Sequence, residues 1–219
     1  MKLIFNLLLF ILLIGSFQLE ADVQINSYRK NFSWKSEWSD LIKDELKKDD
    51  YRSGAIAFLN IQIDEKDLDQ LECAGYNKSS FEDKSDFWVV FFSALTRAES
   101  AFNAKARSAL NRGHRSYGLL QLAKQTAKSQ CRITSADKSI LNPKDNLLCG
   151  LTLMNWQLQG APVREGRNKG KKLRSDFEGQ IFGKHIFQWG PLRQNDHRGK
   201  ALLINWFKDH LDQLKFCKI

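Results

Sequence analysis

Apolar residues recur at helical spacing along most of the chain, and one such run sets the frame. Trp88, Phe92, Leu95, Glu99 and Phe102 follow one another at steps of four, three, four and three residues, which lines them along one face of a helix. The spacing predicts a helix over residues 80–103, opened by Ser79 as cap with Glu82 as its capping-box partner. Upstream, a helix opening near Ser33 carries Trp34, Trp38, Leu41 and Ile42 on one side. Those tryptophans read as a packing face, although such rings also serve to bind sugars. Downstream, a short helical piece is expected at residues 124–129. "LNPKDN" then offers Asn142 as cap and Pro143 as first helical residue. Leu147, Leu151, Met154 and Leu158 form the buried stripe of that helix, and Gly160 stops it. A last helix over residues 199–216 turns Leu203, Trp206 or Phe207, Leu211 and Leu214 inward. The expected fold is mainly α.

The N-terminus changes the picture of where the chain works. "MKLIFNLLLFILLIGSFQLEADVQ" has one early lysine and an apolar run from Leu3 to Ile14 broken only by Asn6. This run is too short to span a bilayer comfortably and reads as a signal peptide, residues 1–21, cut after Ala21; an uncleaved anchor is the alternative. Ser16 stands where a lipoprotein signal would need cysteine, so an unlipidated exported protein is expected, periplasmic or secreted, with no stable membrane insertion once the signal is removed. Residues 22–78 then form a mostly helical extension, and residues 79–219 the main domain.

With 42% hydrophobic residues and three prolines, 219 residues can bury a sizeable core. The formal net charge is +9, and losing Lys2 and Glu20 with the signal leaves it unchanged. Such a balance suits an anionic partner. Export argues against nucleic acid, and no zinc-finger, phosphate-loop or RNA-binding signature is present. Residues 160–174, "GAPVREGRNKGKKLR", hold six Lys or Arg against one Glu and read as an exposed loop. The cysteines, Cys73, Cys131, Cys149 and Cys217, point to two disulfides. Cys131 and Cys149 bracket a short segment and are the expected pair, leaving Cys73 with Cys217. A staple of that length contributes about 3 kcal/mol in the chain-entropy model. No CxxC occurs, and His114, His185, His197 and His210 lack metal-ligand spacing, so neither metal nor cofactor is expected.

Glu99 is the chemically interesting residue of the first helix. A carboxylate on an apolar face loses hydration and holds its proton to higher pH, as a general acid must. The same placement would suit a structural anchor paired to Arg97, Arg107 or Lys105.

Three segments in order decide between these: "ALTRAESAFNAKA", "SYGLLQLAKQTA" and "NPKDNLLCGLTLM". Together they resemble the lytic transglycosylase catalytic domain, a relative of goose-type lysozyme. The matching residues are Glu99 and Ser100; Ser116, Gly118, Leu119 and Gln121; and Asn142, Pro143, Asn146 and Gly150. They span about a third of the chain, residues 86–160. The resemblance implies a lysozyme-like helical fold with an active-site cleft, peptidoglycan strands as substrate, and Glu99 as single acid and base. It also implies that Ser116, Gly118 and Gln121 bind substrate. Separately, the basic run from Arg164 to Arg174 is expected either to attract anionic wall polymers, an effect that fades with salt, or to be a plain solvated loop. Two departures stand out. "LNRGHR" lengthens the link between Glu99 and Gln121, and the family's later Ala-Tyr-Asn-Ala-Gly motif has no clear copy. Its nearest counterpart is "FQWGPLR", where Trp189 is either a sugar-stacking or a core residue. A lysozyme-type hydrolase would need a second carboxylate, for which Asp176, Glu178 and Asp196 are the candidates. A non-catalytic wall-binding protein is the remaining alternative.

Overall fold

The computed structural model describes residues 22–25, 32–48, 59–110, 113–131, 133, 140–160, 178–183 and 188–218. Within these, helices α1 (Ser36–Lys47), α2 (Glu65–Leu71), α3 (Phe81–Ser100), α4 (Lys124–Gln130), α5 (Pro143–Leu158) and α6 (His197–Lys208) dominate. A small antiparallel hairpin, β1 (Ser116–Tyr117) with β2 (Leu122–Ala123), pairs Ser116 with Ala123 and Tyr117 with Leu122. No described helix is long and apolar enough to cross a membrane. The signal-peptide segment, the basic stretch 161–177 and Asp176 lie outside the described residues.

Helix α3 is the axis of the molecule. Its residues from Phe87 to Thr96 are buried on every side, the signature of a helix enclosed by others. Helix α6 packs along it, and α1 lies against both α3 and α5. The start of α3 falls one residue later than the spacing predicts. Ser80 Oγ accepts the Asp83 N–H at 3.1 Å, and the Asp83 carboxylate accepts the Ser80 N–H at 3.2 Å, closing a capping box. Ser79 is unavailable as cap because its hydroxyl donates to the Tyr76 carbonyl at 2.8 Å. Helix α6 ends at Lys208 rather than near Phe216, and two 3-10 turns, Leu211–Gln213 and Lys215–Lys218, carry the chain on with Leu211, Leu214 and Phe216 still buried.

The described residues between 22 and 78 feed the same core. Trp34 precedes α1 instead of lying on it; its Nε1 donates to Ser39 Oγ at 2.8 Å, and its ring meets Trp38 and Phe102 edge-on at 5.4 and 6.2 Å. Both tryptophans are packing residues. Lys43 of α1 bridges Asp22 and Asp86 of α3, each at 2.7 Å. Disulfides join Cys73 to Cys217 and Cys131 to Cys149, the pairs expected from spacing.

A buried carboxylate fastens the segment that precedes the 190–194 turn. Asp67 of α2 is 5% exposed and accepts the N–H groups of Ile181 and Phe182 at 2.7 and 3.0 Å. Burial pushes its carboxyl up to about 6, partly offset by those two donors. Gly183 next door exchanges backbone bonds with the 190–194 turn, its N–H donating to Leu192 and its carbonyl accepting from Gln194. Removing Asp67 leaves two buried amides without acceptors. We therefore expect Asp67→Ala to destabilise the fold by about 2–4 kcal/mol in denaturant melts, and Asp67→Asn, which keeps an acceptor, by clearly less.

Candidate active site

Glu99 sits in the last turn of α3, one residue before the helix ends. The apolar face expected to continue to Phe102 is interrupted there, because Ala101 and Phe102 take φ values of 51° and 66°. Left-handed geometry at a bulky residue is strained. Phe102 is held in it by burial against Trp34 and Trp206, with ring centroids 6.2 and 5.3 Å away. Gln121 also has positive φ, at 46°. Among the described residues, three of the four non-glycine residues in this conformation therefore fall at the ends of the two segments that the sequence marks as functional.

The Glu99 carboxylate is partly buried and accepts the backbone N–H of Gly190. Its protonation is pushed up to about 7, first by loss of hydration and then by the nearby negative charge of Asp196; the Gly190 N–H and the Arg193 guanidinium oppose this. The cation acting on it is thus Arg193, not one of the three basic residues near it in sequence. A carboxyl half-protonated near neutral pH and still reached by solvent can give and take a proton, which a closed ion-paired anchor cannot.

The "SYGLLQ" segment is held as a rigid loop by Asn146 of α5. Asn146 is fully buried; its Nδ2 donates to the carbonyls of Ile140 and Tyr117 at 2.8 and 3.2 Å, and its Oδ1 accepts the Leu120 N–H at 2.8 Å. Gly118, at φ 76°, passes so close that an added Cβ would meet the Asn146 amide and lie 2.5 Å from the Ile140 carbonyl oxygen. Leu120 in turn packs against Gly150, where a side chain would collide with it. Gln121 is half-buried, with Nε2 donating to the Gly118 carbonyl at 2.8 Å. Ser116 is half-buried on β1, its N–H donating to Ser108 Oγ at 2.9 Å. Beside it, the Tyr117 ring lies between the Arg107 guanidinium at 5.9 Å and the Lys124 ammonium at 5.2 Å, a cationic lip that the sequence reading did not single out.

Trp189 corrects an expectation. It is fully buried, so its ring offers no face to a sugar, and its Nε1 donates to the Leu120 carbonyl at 3.0 Å. The bond has a structural consequence: Trp189 joins the loop of Gly118 and Gln121 to Gly190, the residue that grips Glu99. Of the proposed second carboxylates, Glu178 is exposed, whereas Asp196 caps α6 through Gly199 and acts on Glu99. Asp196 as a helix cap was legible in "NDHRG", since Asp before a helical run is a start signal. Among the described residues no group of three or more His, Cys, Asp and Glu side chains gathers as metal ligands would.

Residues 76–167 match the transglycosylase SLT domain family. The structure of DslA, wild-type form 2, superimposes with a TM-score of 0.56 at 18% identity, covering 80% of this chain and 90% of that one. Two glutamate-to-glutamine variants of DslA superimpose with TM-scores of 0.58 and 0.56 at 19% and 21% identity over the same coverage. These likenesses speak for the fold alone. The search of curated proteins finds no match. The matched segment contains α3 with Glu99, the Ser116 to Gln121 loop and α5 with Asn146. Over residues 76–167 the chain is thus similar to the SLT lysozyme-like family, a likeness that points to lytic transglycosylase-type activity on peptidoglycan.

Proposed function

We propose that the protein cleaves the MurNAc-GlcNAc β-1,4 linkage of peptidoglycan by a non-hydrolytic route, with Glu99 as both acid and base. The observation carrying this reading is the environment of Glu99: a partly buried carboxyl, held by one backbone N–H and protonated up to about pH 7. Glu99 gives its proton to the leaving glycosidic oxygen. The resulting carboxylate then takes the proton of the 6-hydroxyl of the same MurNAc as that oxygen attacks its own anomeric carbon. One C–O bond breaks, one forms, the proton returns to Glu99, and a 1,6-anhydro end results without water. The nucleophile is part of the substrate, so no second carboxylate is required to activate one. Gln121, its Nε2 tied to Gly118, leaves its carbonyl oxygen as an acceptor for a substrate acetamido N–H. Gly118, buried against Asn146 and Ile140, shapes this loop from within, and Ser116 lines the same lip. Envelope location, periplasmic or secreted, follows from the substrate and agrees with the two disulfides.

A hydrolytic reading draws on one observation, the proximity of Asp196 to Glu99. The products separate the two. Purified peptidoglycan digested by the protein should yield muropeptides with 1,6-anhydro ends by mass spectrometry. Reducing MurNAc ends would support hydrolysis, and binding to sacculi without release at any pH would support a non-catalytic wall-binding protein.

A further inference from the structure

Asp196 is built into its position more tightly than a helix cap requires. Its Oδ1 accepts the Gly199 N–H at 2.9 Å, an ordinary cap of α6. Its Oδ2 lies against two glycines at once: a Cβ on Gly190 would come within 2.7 Å of that oxygen, and one on Gly199 closer still. Glycine at both positions is what lets the carboxylate settle between the Gly190 turn and the first turn of α6. Gly190 is also the residue whose N–H holds Glu99. The sequence "WGPLRQNDHRG" thus seats one carboxylate against the turn that grips another. With one oxygen committed to the cap and the other lodged between glycine backbones, Asp196 is poorly placed to turn and hold a water as a hydrolytic base would.

We propose that Asp196 is a positioning residue for Glu99: it fixes the Gly190 turn that grips the acid and stands beside it as an immobile negative charge. The role rests on the reading of Glu99 as the acid. Of the other described charges near α3, one more acts on Glu99 and three have partners elsewhere. Arg193, from the same turn as Gly190, opposes Asp196 at Glu99. Arg97 lies over the Trp206 ring of α6, Lys200 of α6 over the Phe182 ring, and Asp86 of α3 pairs with Lys43 of α1. Because the negative charge of Asp196 disfavours a second one on Glu99, it keeps the acid loaded toward neutral pH.

Asp196→Asn tests the charge while leaving an oxygen for the cap, and Asp196→Ala removes both. Isotope-edited NMR of the Glu99 carboxyl in the full chain should show its titration midpoint about half a pH unit or more lower in Asp196→Asn than in wild type. The basic limb of the kcat/KM profile should move by the same amount, with turnover at pH 5–6 within about threefold of wild type. A Glu99 titration that superimposes on wild type would overturn the proposal and leave a plain helix cap. A loss of kcat of a hundredfold or more at every pH would overturn it in favour of Asp196 as catalytic base. Because the NMR titration needs no turnover, it stands even if wild type releases no muropeptides, an outcome that would instead defeat the reading of Glu99 as an acid in cleavage.

Discussion

Replacing Glu99 with Gln is expected to lower turnover of peptidoglycan strands by about a hundred- to ten-thousand-fold, while strand binding stays within a few-fold and stability above neutral pH rises. The catalytic loss is the ordinary size of a missing acid-base group. Binding survives because glutamine keeps the shape and an oxygen for the Gly190 N–H. The stability gain follows from the direction of the shift. Glu99 moves from 4.5 to about 7 on folding, so between those values the folded chain binds more protons than the unfolded one, and stability falls as pH rises. Above about pH 7 the charged carboxylate costs up to about 3 kcal/mol, less where solvent reaches it. Glutamine has no such charge. Thermal melts of the two proteins should therefore nearly coincide at pH 4 and diverge by several degrees at pH 8, with the inactive variant the more stable. Coincident melts at both pH values would show that Glu99 is not destabilised as a charge.

The second large effect is expected at Asn146. Asn146→Ala removes the acceptor of the Leu120 N–H and the donor to Ile140 and Tyr117 in a fully buried site. Orphaned buried groups cost about 1–3 kcal/mol each, so a loss of about 3–5 kcal/mol is expected in denaturant unfolding. Some relaxation around the small cavity keeps the sum below the maximum. Activity should fall further than stability requires, because the loop carrying Gly118 and Gln121 loses its latch and, through the Trp189 bond to Leu120, so does the Gly190 turn. Asn146→Asp supplies only acceptors and should rescue little, since the two carbonyls would then face a carboxylate. An Asn146→Ala protein with wild-type melting and turnover would remove the latch from the account.

How much of this could be read from the chain itself depends on the range of the interactions. Helix positions followed from local periodicity: α5 begins at Pro143 with Asn142 accepting the Lys144 N–H at 2.9 Å, as its cap signal predicts. Boundaries slipped where a side chain had a competing partner, as when Ser79 bonded Tyr76 and ceded the cap to Ser80. Helix α3 stopped early because tertiary packing of Phe102 stabilises a left-handed turn that no local propensity favours. Glu99 was legible because a charge stood in register with Trp88, Phe92 and Leu95. Its supports were not, since the Gly190 N–H and the Asp196 carboxylate both lie far along the chain from it. Trp189 shows the limit most plainly. An aromatic beside a glycine looks the same in sequence whether it stacks on a sugar or donates to a buried carbonyl 69 residues away.

The central claim is that Glu99 works alone, closing the MurNAc ring on itself instead of delivering water. Digesting purified peptidoglycan in heavy-oxygen water and reading the new ends by mass spectrometry tests it most directly. Ring closure with Glu99 acting alone gives 1,6-anhydro ends carrying no label, formed by wild type and absent with Glu99→Gln. Labelled reducing ends, formed at a rate that depends on Glu99, would contradict it.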